Sequence, residues 1–420
     1  MMIESAAFFN KGKESLIGIS SNELVGLLQP KIEYPGSLES LQERLDTGER
    51  LNVKLGIDPT GPDIHIGHIV PVKVLDLFSR AGHNIDLIFG DFTAKIGDPT
   101  ARTNSRRVIT DDMILSNMAT YREQVNHYMD TTAPNIRIHR NSQWLGSMML
   151  SEMFSYLQAV NLTEATQRKD FRDRMERGAA VSLAEVVYGT LMGIDSVKLN
   201  TDIELGGIDQ LLNVQQARMV QKKAGQKAEE ILLTPIIEGT AGDGRKMSKS
   251  FDNYISAATE PKDMFGKIMS MPDNLILPYI KAYAPVSSAE IAELEDEIHT
   301  SPMESKKQLA TYMAATISDN LDTGMAARED FERRFSRRQL DESDSKAIAI
   351  TEDDTLISAL MRSGDFKSKN ELRRIAGQGG IRINGAKIDS DRINNKLAED
   401  ELTVVVGKRR IFKLERSDLH

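Results

Sequence analysis

The 420 residues include no cysteine, which excludes disulfides and thiolate metal sites. No run approaches the ~20 consecutive apolar residues that a membrane-spanning helix needs. The opening MMIESAAFFNKGKESLIG lacks the basic start and continuous apolar stretch of a secretory signal. A cytoplasmic protein with no membrane partner is therefore expected. Internal repeats and low-complexity tracts are also missing. What is present is ordinary globular material, 40% hydrophobic. The length exceeds the roughly 250 residues at which single cores stop growing, so two or three domains are expected. The net charge of −9 argues against wholesale coating of nucleic acid, but the charge is uneven. Residues 356–420 carry 14 Lys+Arg against 9 Asp+Glu, a balance of +5, which leaves −14 on the rest. A mildly basic tail module thus follows an acidic body.

From about 50 to 260, short apolar runs alternate with amphipathic helical stretches: NVKLGID, a helix from near Gly67, IDLIFG, a helix over 111–130, IRIH, and later ILLTPII. That alternation predicts an α/β fold, a parallel sheet covered by helices, with ligands gathered at the carboxyl ends of the strands. Residues 262–332 read as mostly helical, with SAEIAELEDEI offering a serine cap and apolar positions at helical spacing. RRFSRRQLDESDSKAIAITEDD is charged and low in large apolar residues, and reads as a linker. After it, LISALMRSG and SKNELRRIAGQGG predict two short helices, and IRING, LTVVVG and RRIFKLE predict strands.

The stretch DPTGPDIHIGH sets His65 and His68 three residues apart at the predicted start of a helix. Such a pair shares a helix face and could supply half of a metal site, although no third ligand is adjacent. Equally, free N–H groups and the positive dipole end at a helix start favour an anion, to which imidazoles can donate. A capped helix with incidental histidines fits as well. Two further stretches bear on the choice. GRKMSKSFDNYI offers Lys246 and Lys249 in a glycine-preceded loop suited to gripping a polyphosphate, and ELGGIDQ pairs two glycines, which permit close backbone approach, with an acid able to accept from ribose hydroxyls.

Taken in this order, HIGH at 65–68 and KMSKS at 246–250 resemble the signatures of the class I aminoacyl-tRNA synthetases. KLGIDPTGPDIHIGH, GDFTAKIGDPTAR, VVYGTLMGID and ELGGIDQ resemble the bacterial tyrosyl branch. The form of KLG.DPT suits the sub-branch with Lys54 where another has tyrosine. KSKNELRRIAGQGGIRINGAKI resembles a small RNA-binding module named after a ribosomal protein. The resemblance implies a Rossmann-like catalytic domain, then a helical domain and a small α+β RNA-binding module. Its boundaries are 1–260 with a helical dimerisation insertion at about 110–200, 261–335 for anticodon recognition, 336–350 as linker and 351–420 as the module.

It also implies two-step chemistry: an amino-acid carboxylate attacks the α-phosphate of ATP, and a terminal ribose hydroxyl of tRNA(Tyr) then takes the acyl group. Thr60, His65, His68, Lys246 and Lys249 would be catalytic. Gly67, Gly206, Gly207, Asp209, Met247 and Ser248 would contact ATP, with Arg102 and Arg106 helping at the phosphates; magnesium is expected to arrive with ATP, without a dedicated metal site. Asp98 and Tyr188, with Asp58 and Thr93 close by, would hold the amino group of tyrosine, Asp195 its phenolic hydroxyl, and Gln210 its carboxylate. Lys54 and Met192 would also line the tyrosine site. A homodimer is the implied assembly.

Three positions depart from the family pattern. Met192 replaces a usual glutamine, Ile194 a tyrosine, and Ile208 a threonine or serine. Each exchanges a polar side chain for an apolar one, which bears on amine recognition more than on hydroxyl recognition. Alternatives to a tyrosine–tRNA ligase are therefore a paralogue that activates another amino acid or uses a non-tRNA acceptor, and a catalytically dead RNA-binding regulator.

Overall fold

Six residues, NVKLGI, form the central strand β1 (Asn52–Ile57), with Val53, Lys54 and Leu55 all buried. A strand covered on both faces reads as a nearly continuous apolar run, which is why this sheet was visible in the sequence. In the computed structural model, which describes residues 4–98, 109–166, 169–336, 345–366, 368–388, 392–397, 399, 401–407 and 410–416, the chain divides into two compact units, 1–327 and 328–420.

The first unit adds β2 (Asn84–Phe89), β3 (Ile136–Arg140), β4 (Ile203–Gly207) and β5 (Glu230–Thr234) to β1 as a parallel sheet of order β3-β2-β1-β4-β5. The chain builds outward from β1 on one side and then crosses to the other, so the order reverses between β1 and β4. At such a reversal the two adjacent connections leave on opposite faces and open a crevice at the strands' carboxyl ends. The helix Ile66–Arg80 returns from that crevice after β1, with eleven of its fifteen residues buried. The helix expected over 111–130 runs from Asp111 to Asn126, capped by the Thr110 hydroxyl. It stops short because the Asn126 side chain accepts from the backbone and hydroxyl of Thr131, and Asp130 turns the chain through Thr132.

Helices Pro261–Ser270, Ile276–Tyr283, Ile291–Thr300, Pro302–Ser318 and Leu321–Phe331 fill the predicted helical stretch. The serine cap expected in SAEIAELEDEI falls one residue earlier: Ser287, just before that stretch, forms a reciprocal box with Glu290. The opening residues, which carry no motif, also belong to the core: Leu24, Leu27 and Leu28 are buried on the helix Ser21–Leu28. Just beyond it the buried Lys31 ammonium donates to the carbonyls of Lys281 and Ala284, at 2.9 and 2.6 Å.

In the second unit, β6 (Lys346–Ile350), β7 (Ile381–Ile383), β8 (Ala386–Lys387), β9 (Glu401–Val406) and β10 (Arg410–Arg416) form a sheet of order β6-β10-β9-β7-β8. Helices Leu356–Arg362 and Lys369–Gly377 close its core through Leu356, Leu360 and Leu372 against Ile350, Val404 and Phe412. The expected linker at 336–350 is corrected here, because its last five residues are strand β6, paired in parallel with β10. Only Ile348 and Ile350 of KAIAI are buried, so local composition hides a strand whose partner lies some sixty residues further on.

Burial, reinforced by the charges of Lys73, Lys11 and Arg80, pushes the Lys31 ammonium down from 10.5 to about 7. The unfolded chain holds that proton up to the ordinary value, so it binds more protons than the folded chain between those limits, and stability should rise with pH from about 7 toward 10. The Lys31→Met variant should lose this rise, by up to about 1.4 kcal/mol per pH unit. Parallel denaturant titrations of both proteins at pH 7 and pH 9.5 check it; equal pH slopes would refute the assignment.

Candidate active site

The HIGH stretch sits where the crevice requires it. His65 is the N-cap residue of the helix Ile66–Arg80, and its N–H donates to His68 Nδ1 at 3.3 Å. The two imidazoles lie 3.9 Å apart, centroid to centroid. Gly67 is required between them, since a Cβ there would come within 2.9 Å of His65 Nδ1. Desolvation holds both rings below their usual range; His68 and the lysines Lys249 and Lys246 depress His65 further, and the same two lysines act on His68. Both rings are therefore neutral at pH 7, and each carries one N–H to donate.

The loop from Asp58 to His68 is held from outside. Along one face of the helix Asp111–Asn126, Asn117 donates to the Pro59 carbonyl, Thr120 to that of Pro62, and Gln124 bridges Ile64 N–H and Pro62 O. The KMSKS loop is tied to the same segment by backbone pairing: Ile66 N–H donates to Ile255 O and Ala257 N–H to Ile64 O, both at 2.9 Å. Buried Asn253 pins the loop by accepting from Ser248 N–H and donating to Lys246 O. Met247 is the loop's buried anchor, Ser248 caps the short turn Lys249–Phe251, and Lys249 Nζ reaches the Asp63 carbonyl at 2.7 Å. Lys246, Lys249 and Thr60 are exposed. Two cations and two neutral imidazoles thus face a helix N-terminus, which is an arrangement for an anion. Among the described residues no group of three or more His, Asp or Glu could hold a metal ion.

At the end of β4, Gly206 and Gly207 lead into the turn Ile208–Gln210, where Asp209 is exposed. A Cβ on Gly207 would lie 2.8 Å from Asp209 Oδ1. Gln210 is already engaged: its amide donates to Asp98 at 2.7 Å and its carbonyl accepts from Asn213. It therefore holds Asp98 in place, and a substrate carboxylate would have to displace that contact.

Deeper in the crevice, Asp58 accepts from Thr93 Oγ1 at 2.7 Å and from Tyr188 OH at 2.9 Å. Gly90 allows this packing, because a Cβ there would stand 2.1 Å from Asp58 Oδ1. Burial raises the Asp58 carboxyl to about 7 against those two hydrogen bonds. Asp195 is buried on the helix Tyr188–Leu199 and pushed up to about 6, chiefly by desolvation, with Lys54 opposing. Trp144 Nε1 donates to it at 2.7 Å and Asn141 Nδ2 at 3.3 Å. Sequence reasoning missed Asn141, Trp144, Asn117 and Gln124, which act through partners distant in the chain, and Asn253, whose partners Ser248 and Lys246 lie in its own loop.

Three expectations change. Lys54 does not line the cavity: it is 1% exposed, and its three N–H groups are taken by Glu204, by Ser196 Oγ at 2.6 Å and by the Met192 carbonyl at 3.0 Å. Met192 and Ile208 pack with Tyr34 and Leu211 on the buried cluster Val214, Ile231 and Leu233. Ile194 is fully buried in a separate cluster with Leu145, Leu191 and Val220. Arg102 and Arg106 lie outside the described residues.

A family model described as tRNA synthetases class I (W and Y) matches residues 46–336. The tyrosine–tRNA ligase of Thermotoga maritima is 32% identical over 399 residues, spanning 94% of this chain and 98% of that protein. That of Carboxydothermus hydrogenoformans is 36% identical over 385 residues, 90% and 93% respectively. A C-terminally truncated mitochondrial tyrosyl-tRNA synthetase of Aspergillus nidulans has a similar fold, with TM-score 0.60 at 21% identity over 79% of this chain and 98% of that one. The Archaeoglobus fulgidus tyrosyl-tRNA synthetase complexed with L-tyrosine gives 0.58 at 22% identity, over 74% of this chain and 100% of that one.

A raised Asp58 means that the folded protein binds a proton the unfolded chain releases near 3.8, so the ionised carboxylate costs stability as pH rises from about 4 to 7. The Asp58→Asn variant should gain on the wild type between pH 4 and pH 8 by about 4 kcal/mol. Comparing the two pH values cancels the altered hydrogen bonding, which is common to both. A stability difference that stays constant across this range would refute the buried carboxylate.

Proposed function

The chain belongs to the class I tRNA synthetases of the tryptophan and tyrosine (W and Y) group, and from that membership we propose that it is a cytoplasmic, ATP-dependent tyrosine–tRNA ligase. Its relatives' names support the amino acid, and tRNA charging supports the compartment. The observation that carries the reading is the pairing of the HIGH and KMSKS segments, which sets Lys249 across the loop from His65.

In the first step a carboxylate oxygen of tyrosine attacks the α-phosphorus of ATP, the bond to the β-phosphate oxygen breaks, and pyrophosphate leaves. Such a transfer needs positioning and charge stabilisation and no protein nucleophile. Lys246 and Lys249 would hold the β- and γ-phosphates, with Arg102 and Arg106 assisting. Thr60 and neutral His65 would donate to the departing oxygens, and His68 would contact the nucleotide over Gly67. Met247 and Ser248 would fix the loop around it. Gly206 and Gly207 would let the ribose approach the strand end, where Asp209 accepts from its hydroxyls. Magnesium would be held chiefly by the phosphates. Asp98, Asp58, Thr93 and Tyr188 would receive the ammonium, Gln210 would turn toward the carboxylate, and Asp195 would accept from the phenol. In the second step a terminal ribose oxygen of tRNA(Tyr) attacks the acyl carbon and AMP leaves.

We assign anticodon recognition to the helices of 261–335 and RNA contacts to the C-terminal unit. Homodimerisation through 110–200 is supported by Met149, Leu150 and Phe154, which are more than half exposed; the helix Leu150–Leu157 buries none of its residues.

Pyrophosphate exchange measured with each amino acid tests the reading: tyrosine should be the best substrate, and a better one would promote the paralogue. Lys249→Ala should keep tyrosine binding but lose roughly a hundredfold in exchange rate, the worth of one charge-assisted contact made in the transition state. An unchanged rate at saturating ATP would remove the loop from the mechanism. Removing residues 345–420 should leave exchange nearly intact and raise the KM for tRNA by about tenfold through lost phosphate contacts. Equal collapse of exchange would instead make the unit part of the catalytic fold.

A further inference from the structure

Asn141, Thr93 and Asp58 follow directly on, or within a turn of, the carboxyl ends of three neighbouring parallel strands, β3, β2 and β1. Together they join two sites that the chemistry above keeps apart. Asn141 is 1% exposed, and both hydrogens of its amide nitrogen have acceptors: Asp195 Oδ2 at 3.3 Å and Thr93 Oγ1 at 3.1 Å. Its carbonyl accepts from Phe92 N–H at 3.0 Å, so the amide has one orientation. Having accepted from Asn141, the Thr93 hydroxyl donates to Asp58 Oδ1 at 2.7 Å, and Asp58 takes its second bond from Tyr188 at 2.9 Å. At the other end Trp144 holds the remaining oxygen of Asp195. The directions of all these bonds agree, with no donor facing a donor.

Resting on the reading that the substrate is tyrosine, we propose that Asn141 is a positioning residue that couples recognition of the phenolic hydroxyl at Asp195 to recognition of the ammonium at Asp58. Its side chain touches neither group of the substrate. A movement of Asp195 toward a hydroxyl pulls on the one amide that also sets the Thr93 hydroxyl, and Thr93 sets Asp58. A cation arriving at Asp58 orders the same bonds from the other end. Because one amide nitrogen donates to both arms, a ligand group that fixes either carboxylate orders the relay that the other end needs, so the second contact is made to an already ordered site and the two ends of the ligand should bind cooperatively. The pocket then discriminates against molecules with only one correct end more strongly than two independent contacts would.

Four ligands make the test: tyrosine, phenylalanine, 3-(4-hydroxyphenyl)propanoate and 3-phenylpropanoate, which together remove the hydroxyl, the amine, or both. Dissociation constants come from displacement of radiolabelled tyrosine from the full-length protein. In the wild type, removing the hydroxyl should cost about tenfold more when the amine is present than when it is absent, a coupling of the size seen between groups in one network. Asn141→Ser and Thr93→Val each break the relay at a different link, and in both this ratio should fall to about one. Thr93→Val keeps the side-chain volume, so it carries the test should Asn141→Ser fail to fold. A ratio near one in the wild type overturns the inference, and so does an unchanged ratio in variants that bind all four ligands more weakly, since that is what a merely structural residue would give. If the wild type binds no tyrosine while another amino acid supports exchange, the functional reading falls, and the inference with it.

Discussion

A lysine buried in the middle of a parallel sheet has to find an acceptor for every proton, and the answer given to Lys54 organises much of this site. It stands in register with Glu204 across the β1–β4 junction, where the sheet changes direction. Burial alone would drive its proton off, but Glu204, with Glu229 and Asp195 near by, keeps it above its usual value. Burial and the neighbouring Glu204 push Glu229 up to about 8, so it is mostly protonated at neutral pH and Lys54 and Glu204 remain as a balanced pair. The remaining donors of Lys54 hold the Met192 carbonyl and the Ser196 hydroxyl. These fix the helix Tyr188–Leu199 against the sheet. Tyr188 and Asp195, to which the proposed function gives the amine and the hydroxyl of tyrosine, take their positions from that helix. Such a pair contributes little net stability, yet removing one partner costs about 3–5 kcal/mol because a charge is left stranded. Its importance here is geometric.

The nucleotide side follows a different logic, with main chain in place of buried charge. The lysines that would meet polyphosphate are exposed, and what positions them is the pairing of 64–66 with 255–257 and the amide of Asn253. Cations on an exposed loop stay hydrated until an anion replaces the water, whereas neutral imidazoles at a helix start cost little to bury. Exposed charge and buried neutral donors thus meet at one helix start, as a reaction that creates charge on a leaving group requires.

How much of this was legible depended on how far apart in the chain the interacting groups lie. HIGH, KMSKS and ELGG were legible because each is contiguous in the chain; HIGH opens the helix that follows β1 and ELGG closes β4. The parallel sheet was legible because strands buried on both faces carry unbroken apolar runs. The polar residues that hold the site together were not: Asn141 and Asp195 are 54 residues apart, and Lys249 and the Asp63 carbonyl 186. A single asparagine after a strand looks the same whether it faces water or a buried carboxylate. Lys54 was misread for a related reason, since burial on both sides of the sheet removes the alternation that would tell which face a side chain occupies. Strand β6 escaped notice because two buried isoleucines among charged neighbours have no strand signal until β10 is beside them.

The three apolar replacements show the difference between a position near a site and a side chain in it. Were Met192, Ile194 and Ile208 all directed at the ligand, the amine would face a greasy wall and lose much of its binding energy. Instead Ile194 is sealed within a cluster of its own, and Met192 and Ile208, both partly buried, pack with Leu211 on Val214, Ile231 and Leu233. A thioether and a branched alkyl side chain that pack on the same apolar residues support each other, while a lone glutamine among them would need partners that cluster does not offer. In the proposed site the charged acceptors for an ammonium would be Asp98, which Gln210 holds, and Asp58, which Thr93 and Tyr188 hold. Two carboxylates in a partly desolvated cleft, one of them raised by burial, favour a cation strongly without further help. On the proposed assignment of the tyrosine site, amine recognition would therefore rest on charge rather than on a hydrogen-bonding amide, and the state of Asp58 would be decisive for binding.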